Sequence, residues 1–63
     1  MKVNKKKFEI AVANACIKYG ELSKKSNVSQ FTITRMQTGA ETNPDTVGKI
    51  AKTLGVKAED LID

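Results

Sequence analysis

Advanced at 100° per residue, Phe31, Thr34, Arg35 and Thr38 fall on one side of a helix, with Gln30 projecting from its first turn. Ser29, Ile33 and Met36 fall on the other side. The outward set carries a single charge, Arg35. A face that only meets water is usually richer in Lys and Glu. An amide, hydroxyls, an aromatic ring and a guanidinium are groups that make hydrogen bonds and apolar contacts to base edges in a DNA groove. Catalysis, by contrast, lacks its reagents. The chain has no His, one cysteine (Cys16), no paired carboxylates, no metal-ligand spacing and no phosphate-cradling loop. Neither an enzyme nor a cofactor is expected, and no small-molecule ligand is evident.

The elements that must hold this face lie between Tyr19 and Gly39. The stretch reads as two short helices joined by a tight turn. Leu22 and Ser23 give the first of the pair an inward side, Asn27 tolerates the left-handed backbone such a turn needs, and Val28 plugs the corner. Ser29 then caps the second helix. The first begins badly by propensity: neither Lys18 nor Tyr19 is a good cap, and Gly20 inside a helix costs roughly 1 kcal/mol relative to Ala. Two readings of Gly20 stand side by side. One is a frayed helix end; the other is a set of open N–H groups available to a phosphate at the positive end of the helix dipole.

Around this pair the rest of the chain reads as support. Met1 to Lys7, with four lysines, has few apolar groups to pack and reads as a mobile arm or a frayed first turn that touches phosphate through Lys5 and Lys6. The division is a basic arm over residues 1–7 and a domain over 8–63. A helix from about Lys5 to Cys16 carries two apolar stripes, Phe8, Ala11, Val12, Ala15 and Ile10, Ala13, Ile17, and is expected to be largely buried. Cys16 reads as a small buried side chain. Gly39 stops the second helix of the pair, and Ala40 to Thr42 make a short exposed loop. Asn43-Pro44-Asp45 is a strong helix start, followed by Val47, Ile50, Ala51 and Leu54 as a buried face and Gly55 as the stop. Ala58 to Ile62 should form a final short turn of helix with Leu61 packed inward.

Sixty-three residues, 40% apolar with one proline, describe one globular unit near the lower size limit, with a core of Ile, Leu, Val and Ala between helices. The longest uncharged run is too short to span a bilayer, and no signal-peptide pattern opens the chain, so a cytoplasmic protein is expected. The net charge of +4 is unevenly spread. Residues 1–40 carry eight basic and two acidic side chains, and residues 41–63 carry three basic and five acidic. The positive part surrounds the helical pair, as suits a side that meets a polyanion.

With Ser23, Asn27, Val28, Ile33, Met36 and Gly39 at these spacings, followed by NPDTVGKIAKTLGVKAEDLI, the chain resembles the phage-repressor-like helix-turn-helix family (Xre/Cro type) over roughly Phe8 to Ile62. The segments NVSQFTITRMQTG and IAKTLGV carry the resemblance most specifically. It implies an all-α, lambda-repressor-like five-helix bundle whose third helix enters the major groove, commonly as a dimer on an inverted repeat. Carried over by position, Gln30, Phe31, Thr32 and Arg35 match base-reading places, with Thr34 and Thr38 alongside, and Asn43 stands where the loop meets phosphate. The chain departs from the family in four places. Tyr19 stands where a phosphate-bonding Gln is frequent, Ser23 where Ala is usual, Asn27 where Gly is common, and Phe31 where a polar residue is usual. The implied function is a small sequence-specific transcriptional regulator, binding double-stranded operator DNA as a homodimer. Two other readings share the pattern: a DNA-binding accessory factor for recombination or excision, and a helical module that binds another protein and no DNA, for which an exposed Phe31 speaks.

Overall fold

In the computed structural model, which describes residues 1–63, each helix begins and ends on a local signal. Helix α1 (Lys5–Ala15) starts where Asn4 accepts a hydrogen bond from Lys7 N at 2.9 Å. Helix α2 (Tyr19–Ser26) stops at Asn27, whose φ of 60° is left-handed. Helix α3 (Gln30–Gln37) starts at Ser29, whose hydroxyl accepts from Thr32 N at 3.2 Å. It stops at Gly39, with φ of 84°. There the N–H groups of Gly39 and Ala40 return to Met36 O and Arg35 O at 3.0 and 3.1 Å, the paired bonds that close a helix over a left-handed residue. Helix α4 (Pro44–Leu54) has Asn43 as cap, Pro44 in its first turn and Gly55 as its left-handed stop.

α4 packs on α2 and α1, while α3 lies against α1 and α2. Their inward sides meet in one apolar interior in which Phe8, Leu22, Ile33, Met36, Val47, Ile50 and Leu61 are almost wholly shielded from water. Polar groups caught at its margin are satisfied. Ser26 Oγ donates to Leu22 O, and Ser23 Oγ, which needs a carbonyl, donates to Val28 O across the turn, each at 2.6 Å. No buried side-chain polar atom lacks a partner.

The structure differs from the sequence reading in five places. Where a fifth helix was expected there is a 3-10 turn of three residues, Ala58–Asp60, so the molecule is all-helical with four α-helices. Leu61 is nevertheless fully buried. Residues 1–7 are packed, not loose. Val3 is 3% exposed, Lys2 forms an isolated antiparallel bridge with Glu41, and Asn4 N donates to Leu61 O at 2.7 Å. Two long-range backbone contacts thus supply what composition could not show. Thr42 is buried by the same arrangement, its N–H donating to Met1 O at 2.8 Å, so the loop after α3 is not wholly exposed. Glu41 receives the Met1 ammonium, and that hydrogen bond and charge hold its carboxyl below its usual range.

On α1 the covered residues come mainly from one of the two apolar stripes, with Ile17, from the other stripe, half-buried against the core just past the helix. Phe8, Ala11 and Val12 are buried, while Ile10 is 52% exposed and Ala13 and Ala15 face water. Three partner helices in a chain this short cannot cover both sides of a fourth. Ile10 opens instead onto a shallow groove of about 260 Å³ shared with Lys7, Ala11, Asn14, Val56 and Asp60. Cys16 is exposed too, because it is the left-handed residue, φ 54°, that ends α1 and turns the chain toward α2.

Candidate nucleic-acid interface

α3 owes its orientation to its two buried residues. Ile33 and Met36, 1% and 0% exposed, pin one side to the interior, which forces the residues about 180° away into solvent. Gln30, Phe31, Thr34, Arg35 and Thr38 are all exposed, as the helical arithmetic requires. Thr32 is intermediate. Its hydroxyl lies 2.9 Å from Ser29 Oγ, so it belongs to the cap as well as to the rim of the outward face.

The polar groups of this face are not equally free. Thr34 Oγ1 donates to Gln30 O at 2.9 Å and Thr38 Oγ1 donates to Arg35 O at 2.7 Å. Both hydroxyls therefore present lone pairs and methyl groups outward. The donors left to an outside partner are the Gln30 amide and the Arg35 guanidinium, and Arg35 takes part in neither of the molecule's two ion pairs. The Ser29–Thr32 pairing has a sequence signal, a hydroxyl three residues after a capping hydroxyl, that could have shown Thr32 to be partly occupied.

The start of α2 lies beside the start of α3. A Cβ added at Gly20 would come 3.5 Å from Gln30 Nε2, so the Gln30 side chain rests against the Gly20 backbone. No side chain caps α2, and the first of its amides to find a backbone carbonyl is Leu22 N, on Lys18 O at 2.8 Å. The three amides before it are open at the positive end of the helix. Tyr19 is fixed there by its ring, which packs at 5.9 Å from that of Phe8. Partial burial, then the nearby Glu9 carboxylate, push its phenol above the usual range.

The α4 cap follows the C-terminal end of α3. Asn43 Oδ1 accepts from Asp45 N at 3.3 Å, which leaves the Nδ2 donors of an exposed side chain. The Lys2–Glu41 bridge brings a lysine to the same loop, a neighbour that no local pattern announces. Lys5 and Lys6 are exposed on the first turn of α1. Hydrogen bonds from that turn run to the chain's end, Asn4 Nδ2 to Asp63 Oδ1 at 2.6 Å and Lys7 Nζ to Ile62 O at 2.8 Å, and none runs to α3. The structure thus brings the start of α2, Tyr19 and Gly20, beside Gln30, with Phe31, Thr34 and Arg35 exposed along the same helix, and it leaves Lys5 and Lys6 exposed without a hydrogen bond or ion pair to that face.

Residues 9–63 match the sequence profile of the Cro/C1-type HTH DNA-binding domain. The chain belongs to that family. No curated protein and no solved structure matches it. Membership covers the whole helix pair, the loop after α3 and α4, and it makes the chain a DNA-binding domain of the regulator type, with double-stranded DNA as its partner. Nothing in the side-chain arrangement suggests a metal centre, since no three His, Cys, Asp or Glu side chains lie close enough to hold an ion. No helix is long and apolar enough to cross a membrane.

Proposed function

We propose that this Cro/C1-type domain is a sequence-specific transcriptional repressor that lays α3 in the major groove of an operator and blocks polymerase by occupying it. The observation that carries the reading is the chemistry of α3's solvent side. It presents one unpaired guanidinium, one amide, one bare aromatic ring and two hydroxyls already bonded inward, beside a helix end whose amides are open. In this pose Gln30, Phe31, Thr32, Thr34 and Arg35 face base edges. Tyr19, Gly20 and Asn43 meet phosphates on the two flanks, where the phenol, the α2 amides and Asn43 Nδ2 all donate, as a phosphate requires. Thr38 reaches a phosphate as donor only by turning its hydroxyl away from Arg35 O. Lys5 and Lys6 add long-range attraction.

One such helix reads only a few base pairs. Two copies on an inverted repeat, with α3 helices about 34 Å apart, give useful specificity. Selection from a randomised duplex library, followed by sedimentation on the enriched site, tests the reading. An enriched inverted repeat binding two chains, with affinity falling by roughly one power of salt concentration for each phosphate contact, is the expected result. A library returned without enrichment, or one chain per enriched site at saturation, would overturn it. Removing residues 1–6 is not a clean test of the lysines, because it also removes buried Val3 and the Asn4 cap. Lys5→Ala with Lys6→Ala is the better pair.

A further inference from the structure

Phe31 is the most exposed large apolar side chain of the molecule, 73% open to water against 52% for Ile10 and 39% for Met1. It does not rest against the core; the partly buried apolar side chains that do are Ile17, Tyr19, Val56 and Ala58. Folding makes no use of it, yet it stands in the middle of α3's outward face, one turn before the unpaired Arg35. A phenyl ring has neither donor nor acceptor, so it cannot distinguish the O4 acceptor of thymine from the N4 donor of cytosine. The apolar group that a base pair offers in the major groove is the methyl on pyrimidine C5.

We infer that Phe31 reads the 5-methyl group of a pyrimidine, and therefore accepts 5-methylcytosine as it accepts thymine at one position of each half-site, with Arg35 donating to a guanine nearby. The inference rests on the proposed placement of α3 in the major groove. It has a consequence for control: enzymatic methylation of cytosine C5 at that position raises affinity, so the methylation state of the DNA becomes an input to a protein that carries no sensing domain within these residues. Arg35 and Gln30 contribute hydrogen bonds that ignore the methyl, and of the apolar groups on this face, the Thr34 and Thr38 methyls included, the Phe31 ring is the largest and most exposed.

The test uses the intact chain on its enriched duplex, with each pyrimidine of a half-site replaced in turn to give two matched pairs: thymine against uracil, and 5-methylcytosine against cytosine. Each pair differs by a methyl group alone. At one position both methylated members should bind about fourfold more tightly than their partners, the effect of burying one methyl-sized group. The advantage should vanish in Phe31→Ala and survive in part in Phe31→Leu, with thermal melts showing that both variants fold. Indifference to the methyl at every pyrimidine, or a methyl effect that persists in Phe31→Ala, overturns the inference while leaving the major-groove reading in place. Failure of the intact protein to enrich any sequence overturns both.

Discussion

Helices α4 and α3 start and stop by the same devices, a polar cap at Asn43 or Ser29 and a left-handed glycine at Gly55 or Gly39, yet they turn different chemistry to water. α4 buries Val47, Ile50, Ala51 and Leu54 and shows Asp45, Lys49 and Lys52 on its outer side. That is the division expected of a helix whose task is to hold the domain together. α3 buries only Ile33 and Met36, and it exposes a phenylalanine where a solvated helix would carry Lys or Glu. Local rules are kept where a segment is selected for stability and broken where it must meet something else. The departure in α3 is confined to its outer side; its cap, its stop and its buried residues are regular.

If that contrast is correct, truncations on the two helices should separate cleanly. Ile50→Ala empties a fully buried site and should cost about 2–5 kcal/mol, enough to unfold much of so small a domain. Phe31→Ala removes a larger side chain and should change stability by no more than about 0.5 kcal/mol. Urea or thermal melts of the two variants compare them directly. A large loss for Phe31→Ala would mean that the ring packs on the domain after all. Next in size is the effect on reading DNA. Arg35→Ala should lose about 1–3 kcal/mol of preference at one or two base positions, whereas Lys52→Ala on the outer side of α4 should leave the preference of a randomised-site selection unchanged. An equal loss in both would make the difference between the helices one of charge alone.

What the sequence shows and hides follows from the range of the interactions involved. The stop of α2 and both ends of α3 and α4 were legible because caps and left-handed stops act within four residues, Asn27, Ser29, Gly39, Asn43-Pro44 and Gly55 all doing what their types dictate, whereas the Asn4 cap and the Cys16 stop of α1 were not read. The outward set on α3 was legible for the same reason, being fixed by helical period once Ile33 and Met36 face in. The packing of Val3 was not, since it depends on Lys2 meeting Glu41 and Asn4 meeting Leu61, partners some 40 and 57 residues away. Nor was the exposure of Ile10. Periodicity finds two apolar stripes on α1 but cannot say which one receives a neighbour. At the interface, the contact between Gln30 and Gly20 is likewise tertiary and leaves no mark in either segment.

The turn that aims α3 gives a smaller and more local effect. Asn27 holds φ at 60°, a conformation that costs an ordinary L-residue about 1–2 kcal/mol and that Asn tolerates better. Asn27→Ala should therefore destabilise by about 1 kcal/mol, and Asn27→Gly should be close to neutral, because relief of strain is offset by the greater freedom of glycine in the unfolded chain. The melting temperatures of the two variants check the order. A stable Asn27→Ala protein would show that the backbone at this corner is free to leave the left-handed region.

The smallest expected effect separates two ends that use the same backbone device with different residues. α3 stops on Gly39, which adopts its φ of 84° without strain, whereas α1 stops on Cys16, which holds φ of 54° with a side chain attached. Cys16→Gly removes that strain and adds unfolded-state entropy, so the net gain should be about 0.5 kcal/mol. Cys16→Ala keeps the strain and, because the thiol faces water, should change stability by less than about 0.5 kcal/mol. The native protein should also react with a thiol reagent as fast as an unfolded peptide does. If Cys16→Ala instead costs more than about 1 kcal/mol and the thiol is protected from the reagent, the side chain is buried as its residue type suggests, and α1 continues beyond Ala15 in place of turning there.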